Sequence, residues 1–231
     1  MASPKRASCF RWCKTAVKNE QYAKGGNMSV LQEGVMVGGT KMEARVLFEA
    51  AQLQARVEAL AADIAAAYAE KGGLHTITVL NGSLHFSSAL RLAVAEANAT
   101  LGAVMTSDTI HLASYHGVDS SGEIQKISDL THSVAGKHVL VVEDIIDTGK
   151  TLSVLLAELR AQKPASIAVA ALLRKPEKLT VRQDELTEDM YVGFDIGPEF
   201  VIGYGLDYDG RYRDVGAIYA LTPAVGESAS A

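Results

Sequence analysis

The residues best suited to chemistry form one short block, in which an apolar run leads into three carboxylates and a small polar loop. Val139–Val142 is continuously apolar, Glu143 and Asp144 follow it directly, and Asp147 opens the loop Asp147–Thr151. Ligands of open α/β sheets bind beyond the carboxyl ends of the strands, which is where this loop falls. Backbone N–H groups and hydroxyls that open a helix bind anions. The block therefore predicts a phosphorylated sugar, with the phosphate in the loop and the paired acids on hydroxyls or a metal ion.

Two other interpretations of the block can be weighed from its residues. Gly149-Lys150-Thr151 matches the end of a nucleotide-triphosphate P-loop, but that motif requires a glycine where this chain has Asp144. Glu143 and Asp144 could instead serve only as helix-capping acids. Two carboxylates at the mouth of an apolar strand are costly without partners, and this favours a functional role.

The elements that must position this block alternate between strand-like and helical patterns. Continuous apolar runs are typical of strands buried on both faces of a parallel sheet, and apolar residues spaced by three and four indicate helices. The alternation predicts an α/β fold with a doubly wound, mostly parallel sheet. The predicted strands are Thr76–Leu80, Ala103–Leu112, His138–Val142 and Ile167–Leu173, and the predicted helices are Phe48–Lys71, Leu84–Ala97 and Leu152–Ala161.

Composition narrows the class of protein further. The 231 residues are 48% hydrophobic, which is enough to bury a core in one generous domain or two small ones. A formal charge of −5 argues against a nucleic-acid partner, and no apolar run is long enough to span a membrane. The only two cysteines cannot build a disulfide framework or a cysteine-rich zinc site. These features predict a cytoplasmic protein in a reducing compartment.

The two ends of the chain differ from the rest. Residues 1–27 hold six basic residues and one acid, and several glycines follow before residue 46. We therefore predict a basic N-terminal extension over 1–45, a folded domain over 46–220 and a tail over 221–231. Order before Val46 is expected only where another subunit holds the extension. A basic start of this kind is usually a solvated tail, although delivery to an organelle is an alternative.

The block Val142-Glu143-Asp144-Ile145-Ile146-Asp147-Thr148-Gly149-Lys150-Thr151 resembles the signature with which type I phosphoribosyltransferases bind phosphoribosyl diphosphate (PRPP). It is most similar to the signature of the hypoxanthine-guanine group, and the resemblance extends over roughly residues 46–220. It implies the type I phosphoribosyltransferase fold, with a small hood lobe built from the chain after Lys175 and from residues near Val46.

The resemblance also implies an activity and the roles of the acids. The enzyme would transfer the 5-phosphoribosyl group of PRPP to hypoxanthine or guanine in purine salvage, giving IMP or GMP and pyrophosphate. Asp147 would be the general base, while Glu143 and Asp144 would hold the ribose hydroxyls and Mg²⁺. The 5′-phosphate would be bound by Asp147, Thr148, Gly149, Lys150 and Thr151.

Three further segments carry the resemblance. Leu80, Asn81 and Gly82 would bind pyrophosphate at a turn with a cis peptide between Leu80 and Asn81, and Arg213 would assist. Many members of the family have a basic residue where this chain has Asn81, so one cation is missing from that turn. Ser114 and Tyr115 would belong to a mobile loop that closes over the site. The purine would be bound by Lys175, Phe200, Val201 and Asp207, and Asp207 would also order a second Mg²⁺.

Some alternatives remain open from the sequence. The Lys175 ammonium can donate to the oxo group of a purine and would reject adenine, but it does not distinguish between hypoxanthine, guanine and xanthine. A xanthine-preferring enzyme or a non-catalytic regulator that senses PRPP is therefore an alternative. Family habit suggests a homodimer or a homotetramer, with PRPP and a 6-oxopurine as the small-molecule substrates.

Overall fold

The computed structural model describes residue 31 and residues 34–114, 124–126, 128–182, 185–186 and 189–223. The described strands are β1 (Val35–Val37), β2 (Thr40–Phe48), β3 (His75–Leu80), β4 (Thr106–Ser114), β5 (Ile124–Lys126), β6 (His138–Ile146), β7 (Ser166–Arg174), β8 (Met190–Asp195), β9 (Phe200–Ile202) and β10 (Ile218–Pro223). The described helices are α1 (Ala50–Tyr68), α2 (Leu84–Ala97), α3 (Ala99–Val104) and α4 (Lys150–Ala161), and a 3₁₀ turn covers Pro176–Lys178. None of these helices is long and apolar enough to cross a membrane.

The larger sheet has the strand order β5-β4-β3-β6-β7-β8. Five of these strands run parallel, and β5 pairs antiparallel with β4. Alternate residues of β6 point to opposite faces: Leu140 and Val142 join the core under α1 and α2, while Val139 and Val141 join the core under α4. All four side chains are fully buried. Helices on both faces explain why this strand is continuously apolar, and they confirm the predicted doubly wound sheet.

The smaller sheet has the order β1-β2-β10-β9, and its strands pair antiparallel. It joins the chain around Val46 with the chain after Lys175, as expected for the hood lobe. The expectation that the chain before Val46 is ordered only where another subunit holds it is wrong, because β1 and the first residues of β2 pair with strands of this chain. Their pairing with β10 extends to Met42 opposite Pro223, so the ordered lobe includes residues assigned to both predicted end segments.

Three element boundaries differ from the sequence-based ones. Phe48 ends β2 instead of starting a helix, and its ring stacks on Phe194 at a centroid distance of 4.0 Å. The run predicted to be extended from Ala103 begins inside α3, because the Asn98 side chain accepts a hydrogen bond from the Leu101 N–H and caps that helix. Strand β6 continues to Ile146, so the paired acids lie within the strand and not beyond it.

One buried carboxylate fixes the segment between β5 and β6. Asp108 in β4 is 7% exposed and accepts hydrogen bonds from the backbone N–H groups of Thr109 (2.8 Å), Thr131 (2.6 Å) and His132 (2.9 Å). Burial by itself raises the pKa of Asp108, but the hydrogen bonds outweigh it and lower that pKa below its usual value. The ionised form is therefore the one that stabilises the fold.

Replacing Asp108 with asparagine is expected to lower the free energy of unfolding at pH 7 by about 1–3 kcal/mol, because the amide cannot replace a carboxylate that accepts three N–H groups. The pKa of the native carboxyl lies below its unfolded value of about 3.9, so its contribution is complete above that pH and declines as the pH falls further. Urea unfolding at pH 7 and at pH 3 should show the difference between variant and parent shrinking in acid. The exposed Glu70→Gln variant is the control, and a difference that stays constant with pH would contradict the assignment.

Candidate active site

A cavity of about 350 Å³ lies where β3 and β6 end, between the larger sheet and the hood lobe. It brings together most of the residues that the sequence analysis singled out. Those that line it are Leu80, Asn81, Gly82, Glu143, Asp144, Asp147, Thr148, Gly149, Thr151, Asp207 and Arg213. Segments far apart in the chain thus meet at the carboxyl edge of the sheet, as the rule for open α/β folds requires.

The two adjacent acids of β6 form the floor of the cavity, where each is half-buried. Burial raises the pKa of Glu143 well above its usual value, and the charge and hydrogen bond of Asp144 raise it further. Burial also raises the pKa of Asp144, against the opposing effects of hydrogen bonds from Glu143 and the Ile145 N–H and of the Arg213 charge. The pair therefore binds a proton more readily than two separate carboxyl groups do. A cation or hydroxyl donors bound to the pair would lower these pKa values again.

The turn after β3 lies directly against these acids. The Leu80-Asn81 peptide is cis, as the resemblance implied. A Cβ on Gly82 would lie 1.6 Å from Asp144 Oδ2, so any other residue there would displace that carboxylate. Gly205 of the hood lobe approaches equally closely, since a Cβ on it would lie 2.0 Å from the Gly82 carbonyl oxygen. The hood, the turn and the acids therefore form one tightly packed unit.

Arg213 connects this unit to the hood. Its guanidinium donates a hydrogen bond to the Gly205 carbonyl at 2.7 Å and pairs with Asp207 at 2.8 Å. Asp207 also accepts a hydrogen bond from the Gly210 N–H at 2.7 Å. Asp207 and Arg213 thus line the cavity as an ion pair, a feature that the sequence did not indicate.

The polar loop between β6 and α4 forms another wall of the cavity. Gly149 caps α4 with a φ of +80°, and a Cβ there would lie 2.5 Å from a Val181 methyl group. The Thr180 N–H donates to the Thr148 carbonyl at 3.0 Å, so the segment after the 3₁₀ turn braces the loop from outside. Lys150 begins α4 as an exposed residue. This loop leads into a helix N-terminus, the arrangement expected of an anion site.

Asp147 is held by two lysines. Its Oδ2 accepts hydrogen bonds from Lys175 Nζ at 3.1 Å and from Lys178 Nζ at 3.0 Å. Its Oδ1 is buried and has no hydrogen-bond partner among the described residues. Burial raises the pKa of Asp147, but the hydrogen bonds and charges of Lys178 and Lys175 outweigh it and lower that pKa. The carboxylate is therefore ionised at neutral pH, with one oxygen left to accept a hydrogen bond.

Some predicted site residues lie outside the described lining of this cavity. Lys175 is only 5% exposed and reaches the site through Asp147. Phe200 is 47% exposed, and its ring meets Tyr208 edge-on at a centroid distance of 6.0 Å. Val201 belongs to β9 of the hood, and its side chain is buried in the core. Ser114 ends β4, and Tyr115 lies outside the described residues. Their roles stay predictions, as does that of Lys150.

The phosphoribosyl transferase domain family matches residues 47–209 of this chain, which is more than half of its length. The chain belongs to this phosphoribosyltransferase family. The matched range contains β6 and its acids, the loop into α4 and the turn after β3, which build most of the cavity.

Relatives and solved structures agree with this membership. Hypoxanthine-guanine phosphoribosyltransferase of Mycobacterium tuberculosis H37Rv is 40% identical over 187 residues, which cover 78% of this chain and 87% of the relative. The enzyme of that name from Bacillus subtilis is 38% identical over 185 residues, covering 80% and 96%. The structure of a mutant hypoxanthine phosphoribosyltransferase from Trypanosoma cruzi, a ternary substrates complex, superposes with a TM-score of 0.70 at 37% identity and covers 79% and 96%.

The phosphoribosyltransferase site contains one residue that the sequence analysis missed. Lys178 follows Lys175 by three residues, and Pro176 begins the 3₁₀ turn between them. That turn places both ammonium groups on the same carboxylate oxygen. The spacing was visible in the sequence, but a surface lysine is the ordinary interpretation of such a residue.

Proposed function

We propose that this phosphoribosyltransferase acts in purine salvage, transferring the phosphoribosyl group of PRPP to hypoxanthine or guanine and releasing pyrophosphate. The observation that carries the proposal is the cavity in which Glu143, Asp144, Asp147 and the loop to Thr151 converge. A phosphate suits the loop, ribose hydroxyls suit the paired acids, and the N–H group of a purine suits the Asp147 carboxylate. The names of the relatives support the choice of purine.

The chain's own residues supply binding and proton transfer. Thr148, Gly149 and Thr151 present N–H and hydroxyl groups to the 5′-phosphate. The amides of Asn81 and Gly82, with Arg213, face the pyrophosphate. Asp147 Oδ1, which has no partner among the described residues, would take or share the proton of the purine's imidazole nitrogen.

Mg²⁺ fits the acids of β6. Carboxylate oxygens suit this cation, and a pair whose pKa values are raised in its absence gains from a positive charge. Among the described residues there is no cluster of three or more metal-ligating side chains, so Glu143 and Asp144 would share the ion with substrate oxygens and water. When bound, the ion neutralises charge on the departing pyrophosphate. Asp207 would join a second ion only after releasing Arg213.

Lys175 supports the choice of a 6-oxopurine. Its buried ammonium is fixed beside Asp147, and an ammonium donates to an oxo oxygen but not to an amino group. Adenine offers this donor no acceptor at the position of the oxo group, and a hydrogen-bond mismatch of this kind can discriminate by roughly 10⁴-fold. Adenine is therefore the base that the site should reject.

Pyrophosphate release from PRPP with hypoxanthine, guanine, xanthine and adenine in turn tests the proposal. We expect turnover with hypoxanthine and guanine and a kcat/KM for adenine lower by roughly 10⁴-fold. Preference for xanthine would contradict the proposed substrates. PRPP binding without release of pyrophosphate with any base would contradict the enzyme and favour a PRPP sensor.

Gly82→Ala should impair PRPP binding without unfolding the protein. The added methyl group displaces the Asp144 carboxylate, and returning that carboxylate to its place when PRPP binds would cost about 1–3 kcal/mol, or roughly 5- to 150-fold in affinity. PRPP affinity by calorimetry and the thermal midpoint should be measured together. Gly216→Ala is the matched control, because its new Cβ would meet nothing within 4 Å. Unchanged PRPP affinity in Gly82→Ala would mean that this turn does not take part in binding PRPP.

A further inference from the structure

Residues 179–181 form a brace outside the polar loop that connects β6 to α4. Thr148 and Gly149 of that loop line the cavity, whereas no residue of the brace is among the described lining residues. Thr180 donates twice to the carbonyl oxygen of Thr148, from its N–H at 3.0 Å and from its hydroxyl at 3.3 Å. One carbonyl group of the loop is therefore held by two donors that lie outside the cavity.

The brace also packs against Gly149. A Cβ on Gly149 would lie 2.5 Å from one methyl group of Val181 and 3.5 Å from one of Leu179, so these apolar side chains rest against the glycine. Both side chains also pack against the hydrophobic core beneath α4. Because close-packed interiors resist displacement, the core fixes the brace, and the brace limits movement of the loop away from the cavity.

The contact with Thr180 sets the direction of the Thr148–Gly149 peptide. The Thr148 C=O and the Gly149 N–H belong to one planar trans peptide, so they point in opposite directions. Since the carbonyl points at Thr180, the N–H points away from the brace and toward the cavity. Among the described residues this N–H has no hydrogen-bond acceptor. It is therefore available to an anion in the cavity.

A peptide that ends at a glycine needs such a restraint. Gly149 has a φ of +80°, and glycine adopts many backbone conformations at similar energy. If the peptide rotated, it would present the Thr148 carbonyl oxygen to the cavity in place of the N–H. An N–H attracts a phosphate and a carbonyl oxygen repels it. The direction of this one peptide therefore decides whether it favours or opposes a bound phosphate.

We propose that Thr180 is a positioning residue for the 5′-phosphate, because it holds the Thr148–Gly149 peptide with its N–H toward the cavity. Leu179 and Val181 support the same orientation by packing behind Gly149. This inference rests on the proposed function, in which the loop binds the 5′-phosphate of PRPP. Thr180 acts through the loop and does not itself contact the phosphate.

Three substitutions of Thr180 vary the number of donors. Thr180→Ser keeps the N–H and the hydroxyl, Thr180→Val removes the hydroxyl with little change of shape, and Thr180→Pro removes both donors. The preceding residue, Leu179, has φ −61° and ψ 124°, a conformation that residues before proline adopt. The backbone before position 180 is therefore compatible with proline.

Calorimetric titration of the full chain with GMP, which carries a 5′-phosphate, and with inorganic pyrophosphate tests the proposal. One net hydrogen bond corresponds to roughly 2- to 12-fold in affinity. We expect GMP affinity to be unchanged in the serine variant, to fall roughly 2-fold in the valine variant, which loses the longer hydrogen bond, and to fall roughly 10-fold in the proline variant. Pyrophosphate affinity should stay unchanged in all three. The KM for PRPP should rise in the same order, and kcat should change less.

Asp108→Asn is the matched control, because it destabilises the fold at a residue outside the described lining of the cavity and should leave GMP affinity unchanged. Loss of GMP affinity with retained pyrophosphate affinity supports the positioning role. Unchanged GMP affinity in the proline variant would overturn it. Equal losses for GMP and pyrophosphate would also overturn it, since they would report a general loss of structure. GMP binding does not depend on turnover, so a parent chain that binds GMP but transfers no phosphoribosyl group would contradict the proposed function alone.

Discussion

Replacing Asp147 with asparagine is expected to lower kcat by about 10²–10⁴-fold, the usual contribution of a positioned general base, while PRPP affinity stays nearly unchanged. Oδ1 of Asp147 has no partner among the described residues, and an amide keeps the shape of the group but cannot take a proton. The phosphate loop depends on Gly149 and the brace from Thr180, and neither contact involves the Asp147 carboxylate. Turnover should therefore respond much more strongly than PRPP binding.

The dependence on pH gives a second readout of Asp147. The two lysines lower its pKa, so the carboxylate is ionised throughout the neutral range, and activity that depends on it should decline only when the pH falls through that lowered pKa. Removing Lys178 should move the decline to higher pH. The control for the amide substitution is Asp209→Asn, at an exposed position whose φ of +51° asparagine tolerates. Equal losses of PRPP affinity and kcat in Asp147→Asn would instead place Asp147 in the phosphate cradle.

Lys175→Ala is expected to raise the KM for hypoxanthine by roughly 10- to 150-fold, since a hydrogen bond from a charged donor contributes about 1.5–3 kcal/mol. PRPP affinity should be nearly unaffected, and the preference for hypoxanthine over adenine should fall. The side chain is 6% exposed, so the donor that this substitution removes is a buried one.

Lys178→Ala is the matched control for this experiment, because both lysines bind the same oxygen of Asp147. The side chain of Lys178 is 41% exposed, so its removal changes Asp147 without removing the buried donor. Steady-state kinetics with hypoxanthine and adenine should show a larger loss of purine recognition for Lys175→Ala. Equal effects of the two variants would mean that Lys175 acts through Asp147 and does not contact the purine.

Local pattern was enough to predict the layered architecture. The apolar run of β6 is typical of a strand covered on both faces, and α2 was predicted with the same bounds, Leu84–Ala97, that the structure shows. The motif around Glu143 and Asp147 also indicated the family, because the residue types and spacing needed for a sugar phosphate are contiguous. These features depend on neighbours in the chain, which a sequence displays directly.

Long-range contacts had to come from the tertiary structure. The pairing of β2 with β10, which orders residues before Val46, joins segments far apart in the chain and has no local signature. The same holds for the contact of Gly205 with Gly82, for the Asp207–Arg213 ion pair and for the hydrogen bonds of Thr180 to Thr148. The sequence by itself determined which chemistry the strand ends offer. The tertiary structure decided which groups neutralise one another and which stay available to a ligand, because charge, burial and hydrogen bonding depend on distances that the chain sets only when it folds.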